Sequence, residues 1–320
     1  MFKTLLLAKT TLIEMIRQPA YFYIFFGVGL MMVLTPFFTM FAFYDTNRLL
    51  IEMGLASITV MSLVAVSISA THSIYTEIQR KTVLLILTKP VSRNSFLAGK
   101  YLGVVGCGAV IIFFHSLLLM IVLRMGAPET AAYIVDQPGV AGIICIFIFS
   151  LMYGFFQNYF NRKNFFANSI KAAIVLAVFF FLIVGIFDRQ WRIEEYWKDF
   201  SIEVTKGIFL IFLGMLVLSG FTVMLSGYLG KDSNLIVTFS LFLIGLMSDR
   251  YIGSMQDVNI FFQLLYKITP NFHVFLVSDT IVFNRAIPSS YLISSTMYAL
   301  FLLAGIFSFS VVLFDRKEIA

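Results

Sequence analysis

Charge is scarce in this chain: Asp, Glu, Lys and Arg make up 12% of its 320 residues, against 60% hydrophobic ones. A water-soluble fold could not carry that balance without large exposed apolar patches, which excludes an ordinary globular protein. Cysteine is scarcer still. Cys107 and Cys145 both fall inside apolar runs and form no CxxC pair, so neither a disulfide framework nor a metal site is indicated. They read as small hydrophobes in a packed bundle. The three histidines, His72, His115 and His273, share no HExxH or other ligand spacing. His115 lies in mid-span with no intramembrane carboxylate to relay a proton to, so it reads as a hydrogen-bonded structural residue, and His72 reads as interfacial.

Catalytic and nucleotide-binding apparatus is missing too. "GYLGKDS", Gly227 to Ser233, spaces its glycines two residues short of GxxxxGK[ST] and joins two apolar helices instead of following a strand. "LSGF", Leu218 to Phe221, touches an ATPase signature only by chance, being buried in an apolar run. The net charge of +6 comes without a basic patch interleaved with aromatics on a polar surface, so nucleic acid is not an expected partner. The start, "MFKTLLLAKTTLIEMIRQPAYFY", is broken by Lys9, Glu14 and Arg17 and lacks a small-residue cleavage site, so its first span is expected to remain as an anchor. No catalytic residue, metal ligand or cofactor site emerges.

What the chain has in abundance is long uncharged runs. About 20 apolar helical residues cross a hydrocarbon core roughly 30 Å thick. Runs of that kind extend over Tyr21–Phe43, Met53–Thr71, Tyr101–Leu123, Val140–Phe160, Gly207–Gly230 and Ala286–Phe314. Shorter ones cover Ala172–Phe187, extendable back to Phe165 if Lys171 snorkels, and Ser233–Ser248. The expected fold is therefore all-α: a polytopic transmembrane bundle of about eight spans, forming one domain over residues 1–320. With both termini in the cytoplasm, 14 of the 23 Lys and Arg residues face inward, which the positive-inside rule favours.

Three segments are expected to lie outside the spans. Residues 1–20 form an amphipathic elbow helix, with Leu5, Leu12, Ile13 and Ile16 near one face, ending at Pro19. The stretch Asp188–Lys206, with Trp191, Tyr196 and Trp197, reads as an aromatic interfacial helix. In the outer loop, residues 249–285, Phe261, Leu264, Leu265 and Ile268 recur at helical spacing until Pro270, predicting short amphipathic helices on the outer leaflet.

The most informative stretch is residues 74–100, "IYTEIQRKTVLLILTKPVSRNSFLAGK", which continues the second span past the bilayer. Its first helix must stop before Pro90, which disfavours helical geometry at Lys89. A second helix then restarts with Ser92 as cap and Val91 stapled onto Phe96, and runs through Gly99 and Lys100 into the third span. The result is a rigid cytoplasmic hairpin able to pass force from a soluble partner into the bundle.

The order of residues in this hairpin, Glu77, Lys81, Thr82, Pro90, Val91, Ser92, Arg93, Gly99 and Lys100, closely resembles the coupling segment of ABC-2 type transporter permeases. The elbow "TLIEMIRQPAYFY" resembles that family's N-terminal connecting helix, and "FLIGLMSD" with "YKITPNFHVF" its penultimate span and outer loop. The resemblance covers about a third of the chain. The family's usual six spans leave the pair from Val140 to Phe187, joined by "NRKNFFANSIK", as an addition that preserves the orientation of the later spans.

The resemblance implies a multi-pass permease of the inner (cytoplasmic) membrane that exports an unidentified substrate. It also implies two permease chains, as a homo- or heterodimer, each docked on a separate cytoplasmic ATPase that binds the ATP. In that picture Glu77, Lys81, Thr82, Pro90, Ser92 and Arg93 form the ATPase-coupling surface, with Glu77 and Arg93 as polar anchors. Glu14 and Arg17 add elbow contacts, and Gly27, Gly29, Gly214 and Gly220 permit close helix approach between the two chains. Two other readings stay open: a membrane anchor or scaffold without transport, and an ion-gradient-driven transporter, which the absence of deep intramembrane charge disfavours.

Overall fold

In the computed structural model the described residues are 2–39, 46–79, 92–126, 135–194, 200–255, 260–283 and 285–316. They are overwhelmingly helical, and eight of the helices are long and apolar enough to cross a membrane. A short helix α1 (Phe2–Ile16) leads into α2 (Pro19–Thr39), followed by α3 (Thr46–Gln79), α4 (Arg93–Met125), α5 (Gln137–Asn161) and α6 (Phe165–Val184). Then come α7 (Ile202–Ser226), α8 (Lys231–Met247), the short α9 (Ile260–Ile268) and α10 (Ser278–Val282), and finally α11 (Ser289–Arg316).

The spans begin where local chemistry starts them. Asp136 caps α5 by accepting from Gly139 N at 3.0 Å, Asn164 caps α6 through Ala167 N at 2.9 Å, and Ser201 accepts from Val204 N to start α7. The second span begins earlier than the uncharged run suggested, at Thr46 instead of Met53. Arg48 and Glu52 fit into it because they pair at i,i+4, 3.1 Å apart. The fifth span does start at Phe165, with Lys171 inside it and exposed.

α3, α4 and α7 form the middle of the bundle. α1 and α2 lie along α4, α8 and α11 flank α7, and the α5–α6 hairpin sits at the edge against α4. Hydrophobic transfer gives no force between helices in lipid, so close packing of small residues and interhelical hydrogen bonds must hold them. Two such ties are conspicuous. A Cβ on Gly154 would overlap the Ser169 hydroxyl, so glycine there is what lets α5 and α6 meet. Buried Asn234 of α8 donates to Thr71 Oγ1 of α3 at 2.8 Å and to the Thr222 carbonyl of α7 at 3.2 Å, joining three helices.

Two expectations need correcting. The segment from Asp188 to Glu194 is not an interfacial helix. The Asp188 carboxylate accepts from Gln190 N at 2.7 Å and Arg192 N at 2.8 Å, which closes a tight turn with Trp191 in a left-handed backbone conformation. Phe187 and Ile193 then form an isolated antiparallel bridge, while Tyr196 and Trp197 lie outside the described residues and Lys206 belongs to α7.

The second correction concerns residues 249–285. α9 forms and ends before Pro270, as its spacing predicts, but the segment after it folds into the end of the bundle. Phe272, Phe275 and Ile281 are buried, Phe272 N donates to the Gly245 carbonyl, and Ile281 fills the space left by Gly207. Asp249 anchors the entry by accepting from Tyr266 Oη and Asn271 Nδ2, each at 2.6 Å. That bond to the carboxylate is the main reason the Tyr266 phenol is pushed above its ordinary 10.0.

Candidate functional site

At 1.5 Å per residue, α3 with its 34 residues and α4 with its 33 are each about 50 Å long, well beyond a hydrocarbon core of roughly 30 Å. Residues 80–91, which connect them, lie outside the described residues. Ser92 caps α4 by accepting from Ser95 N, as its sequence position predicts, and the helix continues unbroken through Gly99 and Lys100. The expected staple partner Val91 falls outside the described residues, as do Lys81, Thr82 and Pro90. Arg93 opens α4 as its first residue.

At the root of this connection the two helices are locked. Lys100 Nζ lies 2.6 Å from Glu77 Oε1, with the lysine side chain 3% exposed and the glutamate 19%. The same ammonium sits 5.7 Å from the centre of the buried Phe96 ring, a cation–π contact that helps offset its desolvation. Glu77 is thus turned toward α4, half-buried, with its Oε1 engaged by its own chain.

The outer side of α4 at this level is covered by α1. A Cβ on Gly99 would come within 2.7 Å of Leu7 Cβ, and one on Gly103 within 2.6 Å of Thr11 Cβ and 2.9 Å of the Ala8 carbonyl. Farther along, Gly106 faces Leu12. Successive turns of α1 therefore pair with successive turns of α4 in the same direction, so α1 runs beside α4 instead of crossing it at one point. Gly99 and Gly103 form a GxxxG pair, the spacing that brings helix backbones together in lipid. Glu14 and Arg17, the expected elbow contacts, are exposed near the far end of α1.

Around this root other helices converge. Tyr101 Oη donates to the Leu216 carbonyl of α7 at 3.3 Å, and Tyr228 Oη, in the turn before α8, donates to the Leu313 carbonyl of α11 at 2.7 Å. A cavity of about 330 Å³ opens between α4, α7 and α11, lined by Leu97, Tyr101, Gly220, Leu303 and Phe307. Three of the glycines expected at a contact between chains are used inside this one: Gly29 faces Phe147, Gly214 faces Phe275 and Gly220 faces Ile306. Only Gly27 of that set has open space around it.

His115 sits as a structural residue should. Its Nδ1 is 2.7 Å from the Ile111 carbonyl and its Nε2 3.1 Å from the Phe25 carbonyl of α2, with Phe25 and Phe114 packed edge-on against the ring. Both cysteines are unpaired thiols within helices, and no group of three or more metal-ligating side chains occurs among the described residues. The arrangement is a tie between helices: α3 and α4 are joined through Glu77 and Lys100, and α1 and α7 pack against them.

No family model, no curated protein and no solved structure matches the chain.

Proposed function

We propose that this chain is the membrane-spanning permease subunit of an ATP-binding cassette transporter, which couples ATP hydrolysis by a separate cytoplasmic ATPase to export of a substrate. The observation that carries the reading is the root of the 80–91 connection. Two helices longer than a bilayer is thick are pinned by a buried ion pair and backed by α1, so a push on the segment between them is passed to both. The resemblance of residues 74–100 to the coupling segment of ABC-2 type permeases supports the same assignment.

In this mechanism the turn, with Lys81, Thr82, Pro90, Ser92 and Arg93, seats in a groove on the ATPase, and a second permease chain completes the pathway. Closure of the ATPase pair favours one packing of the bundle over another through differential contacts. Glu77 acts inside this device: its pairing with Lys100 transmits movement of α3 to α4. The turn faces the cytoplasm of the inner membrane, as do both termini.

The test is purification of the tagged full-length chain from its native membranes, with assay of the ATPase activity that accompanies it. A cassette ATPase is expected, stimulated by the wild-type chain and not by Arg93→Glu or Lys81→Glu. Recovery without any ATPase points to a scaffold, substrate uptake driven by an ion gradient alone points to a secondary transporter, and external labelling of Lys89 removes the cytoplasmic coupling surface.

A further inference from the structure

The α5–α6 hairpin stands at the edge of the bundle, and its chemistry differs from that of the rest. Between Asp136 and Asp188 there is no acidic residue, while Arg162, Lys163 and Lys171 are all basic. The turn that carries the first two is built firmly. Arg162 adopts a left-handed conformation, its N–H and that of Lys163 both donate to the Gln157 carbonyl, and Asn158 Nδ2 donates to the Lys163 carbonyl at 2.9 Å. Both basic side chains are exposed there.

Below this turn, between the outward faces of the two helices, lies an open-sided groove of about 610 Å³. Phe149, Met152, Tyr153, Phe156 and Val175 make it almost wholly apolar, and Lys171 is the one charged residue on its wall. Lys171 has no carboxylate partner among the described residues. It lies six residues into α6, about 9 Å from the start of that helix at 1.5 Å per residue. A lysine at that depth snorkels toward the headgroup level, where Arg162 and Lys163 already are. The apolar part of the groove runs on from there toward Phe149, deeper in the hydrocarbon.

We propose that this groove is a binding site for an anionic glycerophospholipid of the leaflet that meets the 162–164 turn. Lys171 takes the phosphate from below, Arg162 and Lys163 hold the headgroup from above, and one acyl chain lies along Phe156, Tyr153 and Phe149. The complementarity is one-signed, three cations with no carboxylate among them, and the shape matches an amphiphile: charge at one end of a long apolar channel. A second copy of this chain fits less well, because the same three charges would meet themselves across a twofold axis.

The experiment uses the full-length chain in mixed micelles with phosphatidylglycerol or phosphatidylcholine of identical acyl chains, and reads bound lipid by native mass spectrometry and by competition with a fluorescent-chain analogue. Wild type is expected to prefer phosphatidylglycerol. Lys171→Gln lowers that preference about fivefold and the triple variant with Arg162→Gln and Lys163→Gln about a hundredfold, as expected for one charge contact each. Lys171→Arg retains it, and Lys231→Gln, a basic residue elsewhere, leaves it unchanged. Val175→Trp fills the groove and lowers retention of both lipids. Equal binding of the two lipids by wild type, or a preference unaltered in Lys171→Gln, overturns the proposal. So does full competition by soluble glycerol phosphate, which assigns the site to a free anion, or efficient crosslinking of Tyr153→Cys between two copies in bilayers, which assigns the face to a second chain.

Discussion

Lys100 and Glu77 face each other across the contact between α4 and α3, Nζ 2.6 Å from Oε1, with the lysine almost entirely withdrawn from solvent. Such a pair contributes little net stability compared with well-packed apolar residues, but it is expensive to break from one side. Glu77→Gln is therefore expected to cost about 3–5 kcal/mol by stranding a buried ammonium. The double variant Glu77→Gln with Lys100→Met should recover most of that loss, since no buried charge remains. Thermal unfolding in detergent of the two singles and the double measures the coupling, and additive effects would separate the two residues.

The contact between α1 and α4 depends on two missing side chains. Gly103→Val places atoms where Thr11 and the Ala8 carbonyl already are, and overpacking of this kind costs about 1–3 kcal/mol. The expected result is a lower unfolding midpoint and faster maleimide labelling of Ala8→Cys as α1 lifts away. Gly27→Val, which meets no neighbour within 4 Å, should leave both readings at wild-type values.

Asn234 links α3, α7 and α8 by donating to Thr71 Oγ1 and to the Thr222 carbonyl. Interhelical hydrogen bonds in membranes contribute about 0.6 kcal/mol on average and up to about 1.7. Asn234→Leu is thus expected to cost about 1–3 kcal/mol, whereas Asn158→Leu, which removes one exposed bond within a turn, changes the midpoint much less.

The turn at Asp188 carries a pH dependence. The backbone N–H of Arg192 is the chief cause holding this carboxyl below its ordinary 3.8, with Gln190 N–H and the charges of Arg192 and Arg124 adding to it. A depressed carboxyl stabilises the turn at every pH above its ordinary value and loses that contribution as pH falls through the depressed one. Trp191, whose ring packs edge-on to Phe187 at 5.6 Å, reports on it. Its emission should hold steady from neutral pH to about 4 and shift only in stronger acid, while Asp188→Asn shows the shifted emission at neutral pH.

Much of the molecule was legible because the responsible forces are local. A residue cannot enter hydrocarbon without its own hydrogen bonds and apolar surface, so eight helices could be counted along the chain. Ser92 as a cap needs only the three residues after it, and α9 ends where Pro270 removes a donor. The Asp188 turn is set not by the aromatic content of its segment but by an aspartate two and four residues before the N–H groups it captures.

The sequence alone determined that this is a multi-pass helical protein, because burying backbone in lipid permits little else. It also determined which stretch is basic without any acid. Tertiary structure alone decided that Glu77 engages a lysine 23 residues away, that Gly99 and Gly103 serve α1, and that the segment after α9 closes the end of the bundle. Those are choices of partner. Helix formation follows from the solvent acting on each residue in turn, whereas partner choice depends on which helices lie side by side, and no single helix carries that information.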